Sequence, residues 1–139
     1  MRILIVITLL TSPVSAWEAK SRTICTLSHS EPGAEVVVTY DPTVSIYAIS
    51  VSGNVAWIDA PVFGLTFNGK SPLTITTNRQ MLDGRAVTVT DRGFGNVLNG
   101  LQFNTTATAT LGAQSVTVSL EGAAPEVDAF RACTLAPTA

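Results

Sequence analysis

The run Gly64-Leu65-Thr66-Phe67-Asn68-Gly69-Lys70-Ser71 fits the phosphate-binding pattern G-x-x-x-x-G-K-[ST] letter for letter. That chemistry needs a strand ending at the first glycine and a helix beginning near Lys70-Ser71, so that backbone N–H groups and the helix dipole converge on the phosphates. The neighbouring residues predict something else. Leu65 to Phe67 reads as strand, Asn68-Gly69 as a hairpin turn, and 72–77 as the return strand. A second acidic metal ligand is also wanting, because Asp41, at the end of a β-branched run, is followed by Pro42 and reads as a turn. Gly64, Gly69, Lys70 and Ser71 are therefore expected to imitate the motif without binding nucleotide.

Ser28-His29-Ser30-Glu31 groups an imidazole, two hydroxyls and a carboxylate. Neighbours on a strand end alternate faces, so proximity in sequence makes no triad, and the plain expectation is a polar turn. Neither a G-x-S-x-G elbow nor an H-E-x-x-H zinc motif occurs. With a single histidine, acid–base work would rest on the pairs Asp83/Asp91 or Glu126/Asp128, which read as turn and helix-cap residues. No catalytic residue, metal site or cofactor is expected, and the chain is read as a non-enzyme. The loop best suited to recognition is Asp91-Arg92-Gly93-Phe94-Gly95-Asn96. Arg and Phe are residue types that anchor interfaces, and a glycine-rich break between strands tends to lie at the end of a sandwich. Asp91, Arg92, Phe94 and Asn96 are the candidate interaction residues. The competing expectation is structural, with Arg92 paired to a local acid and Phe94 filling the edge of the core.

The start of the chain reads as an address. Met1-Arg2 is a short positive beginning, Ile3 to Leu10 is nearly all apolar, and Val14-Ser15-Ala16 is a small-residue cleavage site, the three regions of a secretory signal peptide. Residues 1–16 are expected to be removed, leaving a mature chain from Trp17, with 17–139 as one domain. The apolar run falls well short of the roughly 20 residues that span a bilayer. A periplasmic or secreted location makes Cys25 and Cys133, the two cysteines, most simply a disulfide that fastens the ends of the chain. Two cysteines and one histidine do not by themselves fill a zinc site.

The 139 residues are 46% hydrophobic but only 13% charged, with eight Lys and Arg, ten Asp and Glu and a net charge of −2. That composition specifies a folded domain and lacks the basic footprint that nucleic acid binding requires. Short β-branched runs separated by turn residues recur throughout, over 23–28, 35–40, 45–52, 62–67, 73–77, 86–90, 105–111 and 115–120. Val87 and Val89 against Thr88 and Thr90, and Val116, Val118 and Leu120 against Thr117 and Ser119, alternate with period two, as half-buried strands do. Residues 93–100 are expected to make one short helical turn weakened by glycines. A helix over 124–132 is signalled by Pro125 in its first turn, early acids and late Arg131. With no long helix to cover a parallel sheet, the fold expected is an all-β, two-sheet antiparallel β-sandwich, immunoglobulin-like, with a short C-terminal helix; a closed barrel is the alternative.

The alternating strand 114–120, then Glu121-Gly122 and the helix bearing Ala129-Phe130, resembles the invasion-associated locus B family of exported β-sandwich proteins. That resemblance implies an exported sandwich with an adhesion-like role; this chain differs in having only two cysteines. Glu31-Pro32-Gly33-Ala34, the run from Val87 through Asp91-Arg92-Gly93-Phe94 to Leu98, and Ala129-Phe130-Arg131-Ala132-Cys133 are similar to small exported bacterial proteins that often carry the name of the helicase component of the ABC excinuclease. That name implies tandem nucleotide-binding domains, a cytosolic address and a basic DNA channel, none of which this sequence encodes. The function expected is an exported, non-catalytic protein acting through contacts with a protein or cell-envelope component, with no nucleic acid partner and no membrane span after cleavage. The alternatives are a small hydrolase or hydrolase inhibitor and, from the motif match alone, ATP-dependent DNA repair.

Overall fold

The computed structural model describes residues 16–136, so all of the expected signal peptide except Ala16 lies outside the described residues. The chain order is β1 (Glu18–Ser21), β2 (Cys25–Glu31), β3 (Ala34–Asp41), β4 (Ile46–Gly53), β5 (Phe63–Asn68), β6 (Leu73–Thr77), β7 (Met81–Asp83), β8 (Ala86–Asp91), α1 (Gly95–Gln102), β9 (Thr106–Leu111), β10 (Gln114–Ser119) and α2 (Ala123–Leu135). The strands form a six-stranded sheet, β1-β2-β3-β4-β8-β7, and a four-stranded sheet, β10-β9-β5-β6. Every pairing is antiparallel. The two-sheet sandwich with a C-terminal helix is thus what the alternating strands build.

The period-two pattern decides which face of each strand is buried. Val36 and Val38, Ile49 and Val51, and Val87 point inward from the larger sheet, against Phe63, Leu65 and Phe67 of β5 and Ala107, Ala109 and Leu111 of β9. Antiparallel neighbours share a turn wherever the register allows it. Glu31 pairs with Ala34 around Pro32-Gly33, and Leu111 pairs with Gln114 around Gly112-Ala113, where Gly112 takes a positive φ of 60°.

Several elements differ from their sequence expectations for physical reasons. β1 and β7 carry no apolar alternation and have no counterpart among the expected strands; β1 exists because it pairs with β2 along four residues, and β7 because it pairs with β8. The β5–β6 hairpin is present, but its connection spans 69–72 and is not a two-residue Asn68-Gly69 turn. Asn68 stays in β5, opposite Thr106, and its carbonyl accepts hydrogen bonds from the Thr105 N–H (2.8 Å) and Oγ1 (3.0 Å). α1 is eight residues long, against an expectation of one turn. Burial of Val97, Leu98 and Leu101 on one face offsets the cost of its glycines.

α2 buries Ala123, Val127 and Phe130 on one stripe and packs on β1, β2 and α1. Cys25 of β2 and Cys133 of α2 form the disulfide, across 108 residues of sequence with a Cα–Cα distance of 5.9 Å. Closing a loop of that length restricts the unfolded chain by roughly 4 to 5 kcal/mol in the entropy model. Polar ties also join the helices. Asp128 Oδ1 accepts from Gln102 Nε2 (2.6 Å), and Arg131 donates to Gln102 Oε1 (3.1 Å) and to Asn99 Oδ1 (2.7 Å).

One glycine is fixed by packing. A Cβ on Gly100 of α1 would overlap the ring of Phe67, which is fully buried, whereas a Cβ on Gly95 would meet nothing within 4 Å. Gly100→Ala is expected to cost about 1–3 kcal/mol through overpacking. Gly95→Ala, by helix propensity, should be neutral or stabilise by up to about 1 kcal/mol. Urea unfolding of the two variants checks this; equal midpoints would contradict the packing assigned to α1.

Candidate functional site

The loop singled out from sequence joins β8 to α1. Asp91 ends the strand, and its Oδ1 accepts a hydrogen bond from the Arg92 N–H at 2.6 Å. Phe94 occupies the position before the helix and is buried, stacked on Tyr47 with centroids 5.3 Å apart. Tyr47 in turn meets Tyr40 (4.5 Å) and Phe130 (6.4 Å), so Phe94 is the anchor that seats the loop on the core. It also lines the cavity beside the loop. Arg92 and Asn96 are exposed, and Arg92 has no side-chain ion pair among the described residues. The expected pairing of Arg92 with a local acid therefore reduces to the backbone contact with Asp91.

This loop forms one wall of a cavity of about 470 Å³ between the sheets. β6, the edge strand of the smaller sheet, forms the facing wall with Ile75, Thr76 and Thr77. The floor is apolar: Ile49 and Val89 from the larger sheet, Phe63 and Leu65 from β5, and Val97 from α1. The rim is polar, with Arg79 from the β6–β7 connection opposite Thr90, Asp91 and Asn96. Two hollows of similar volume, about 460 and 500 Å³, lie around Gly53-Asn54. The first is bounded by the Pro32–Ala34 and Gly53–Val55 turns, Trp57 and β10, and the second by turn residues and polar side chains of the larger sheet. Arg79 and the apolar floor carry no local sequence motif; only the inward alternation of Leu73, Ile75 and Thr77 along β6 hints at them.

The P-loop-like residues fall across the β5–β6 hairpin. Gly64 lies inside β5, opposite Thr76 and Thr110. Gly69 and Lys70 are exposed in the connection, and the Ser71 N–H is already bonded to Asn104 Oδ1 at 3.0 Å. A strand, not a helix, follows Lys70, so the amides do not converge as a phosphate cradle must.

His29 is where sequence reasoning missed a feature. It does not sit in a polar turn but in β2, on the same buried face as Cys25 and Leu27. Its ring stacks on Trp17 at 4.8 Å with an interplanar angle of 9°, and its Nε2 lies 2.9 Å from Glu31 Oε1. The i,i+2 spacing on a strand was the available signal, since it puts His29 and Glu31 on one face. Ser30 points to the solvent side instead, toward Glu35. Glu31 Oε1 also accepts from the Ser119 N–H (2.8 Å), and Ser119 O accepts from Trp17 Nε1 (2.9 Å). The cluster joins the first described residues to the end of β10. With its side chain only 4% exposed beneath Trp17, His29 lies at the edge of the sandwich, and its buried Nδ1 has no hydrogen-bond partner.

The carboxylate pairs separate. Asp83 lies at the β7–β8 turn, away from Asp91 at the far end of β8. Glu126 Oε2 accepts from the Ala19 N–H (3.0 Å), while Asp128 is engaged with Gln102. Among the described residues no group of three or more His, Cys, Asp or Glu is placed to hold a metal ion. No family model, curated protein or solved structure matches the chain.

The Glu31 cluster has a pH signature. Burial pushes its carboxyl pKa up, but the hydrogen bonds from Ser119 and His29 and the attraction of His29 outweigh that and hold it below the ordinary carboxylate value. A carboxyl that is more acidic folded than unfolded stabilises the fold above its unfolded pKa. That contribution is lost as pH falls through the folded pKa. Wild type should therefore exceed Glu31→Gln in urea midpoint at about pH 7, with the gap narrowing as pH falls below the ordinary carboxylate range. A gap that stays constant with pH would contradict this assignment.

Proposed function

We propose that the chain is an exported, non-catalytic β-sandwich that engages a protein or cell-envelope component through the inter-sheet cleft. The observation that carries this reading is the position of the 91–96 loop. Its buried Phe94 fixes one wall of a cavity with an apolar floor, while exposed Asp91 and Asn96 line the rim of that wall and Arg79 the facing one. Hollows of roughly 300–1,000 Å³ with an apolar body and a few polar groups at the edge are the usual form of a small-molecule or side-chain binding site. Rigid strands and a helix end supply the walls, so the site is preorganised.

Export is supported by the Cys25–Cys133 disulfide, since such bonds persist in oxidising compartments. Among the described residues no helix is long and apolar enough to cross a membrane. The resemblance to the invasion-associated locus B proteins, carried by β10 and α2, accords with an envelope role. The likeness to proteins that carry the excinuclease name is, on this reading, a likeness to exported proteins and not to a repair enzyme, because the motif residues sit on a β-hairpin.

Hydrogen–deuterium exchange on the full protein, with and without detergent-solubilised envelope extract, tests the reading. Protection is expected in 73–79 and 89–97, and not from a matched cytosolic extract. Protection confined to other segments, or none from the envelope fraction, would remove the cleft as the site.

A further inference from the structure

We infer that the cleft takes one apolar chain ending in an anionic head, a carboxylate or a phosphate, with the chain over Ile49, Leu65, Ile75, Val89 and Val97 and the head on Arg79. The inference rests on the cleft being the binding site and adds the chemical class of its occupant. The floor offers side chains without polar atoms, so whatever fills it must be apolar there. A volume of about 470 Å³ suits a single chain better than a large ring system or a protein element.

The head group is set by the charges at the rim. Arg79 has no ion pair among the described residues. Its backbone is held, however, because the Arg79 N–H donates to Thr77 Oγ1 at 3.1 Å and the next side chain, Gln80, donates to Ala60 O at 2.8 Å. A guanidinium on a fixed stretch of chain presents a planar fork suited to two oxygens of one anion. Asp91 lines the cleft on the other wall and would repel an anion there, whereas Arg92, whose N–H donates to Asp91, does not line it. The two walls therefore direct a negative head toward Arg79. A cationic head would choose Asp91 instead, which makes the sign of the ligand testable.

The experiment compares decanoate, decanol and decyltrimethylammonium, each below its micelle concentration, by titration calorimetry on the disulfide-intact protein. Decanoate should bind one per chain, about tenfold more tightly than either of the others. In Arg79→Ala that preference should vanish while decanol binding persists. Ile75→Trp, which fills the cleft from an edge strand where Trp is well tolerated, should abolish binding of all three; Thr77→Phe is a second plug should the first fail to fold. A preference for the ammonium, an unchanged ratio in Arg79→Ala, or full binding in both folded plug variants would overturn the inference. Binding to phosphatidylglycerol vesicles that the plugs leave intact, without binding of free decanoate, would replace it with a membrane-surface contact. If no amphiphile binds but envelope extract still protects 73–79 and 89–97, the ligand class is wrong and the cleft reading stands. If that protection is missing too, both fall.

Discussion

A six-stranded sheet packed face to face on a four-stranded sheet has more inner surface than its partner can cover, and most of what is distinctive in this molecule answers that mismatch. β10 packs on β3 and β4, which leaves β1 and β2 beyond the edge of the smaller sheet. α2 covers them, burying Val127 and Phe130, and Cys25–Cys133 fastens the cover to the sheet. On the opposite flank β6 faces β8 without a covering helix along its length. α1 reaches β6, and the apolar hollow remains beside it. One surplus is sealed and the other left open.

The sealed flank also holds a linked set of polar groups, in which His29 Nδ1 is buried without a hydrogen-bond partner. Trp17 lies on His29 and donates to Ser119, Glu31 receives Ser119 and His29, and Glu126 receives Ala19. Buried polar groups joined in this way fix one register for the edge strands, because each unmet partner would cost its desolvation. The open flank has the reverse character. Its arginines, Arg79 and Arg92, have no ion pairs among the described residues, and Ile75 and Val89 are only half-buried. Rigidity at one edge and unmet surface at the other accords with the binding role proposed above, since a fixed frame lowers the cost of holding a site open.

Much of the frame was legible because period-two alternation and turn residues are local signals. The eight strands read from sequence all exist, displaced at their ends by a few residues, and the cysteine pair followed from the expected compartment. β1 and β7 were not legible, since Glu18-Ala19-Lys20-Ser21 and Met81-Leu82-Asp83 carry no pattern and are strands only through their partners. The loop 91–96 was singled out as a candidate interaction loop, and the cavity it borders had no sequence signal. The loop's aromatic was assigned both to an interface and to the core edge, and burial against Tyr47 decides for the core. Arg79 had no signal at all, because the cavity it borders is made by strands far apart in sequence. The loudest motif, Gly64 to Ser71, fits by its letters alone, and its backbone is a hairpin as its neighbouring residues predicted.

The claim that the uncovered inter-sheet surface is the working site is tested most directly by intermolecular nuclear Overhauser contacts between isotope-labelled protein and unlabelled decanoate. Contacts from the chain methyl and methylenes to the methyl groups of Ile49, Ile75, Val89 and Val97 are the predicted result. Contacts confined to exposed residues elsewhere, such as Val44, Val55 and Ile58, would contradict it.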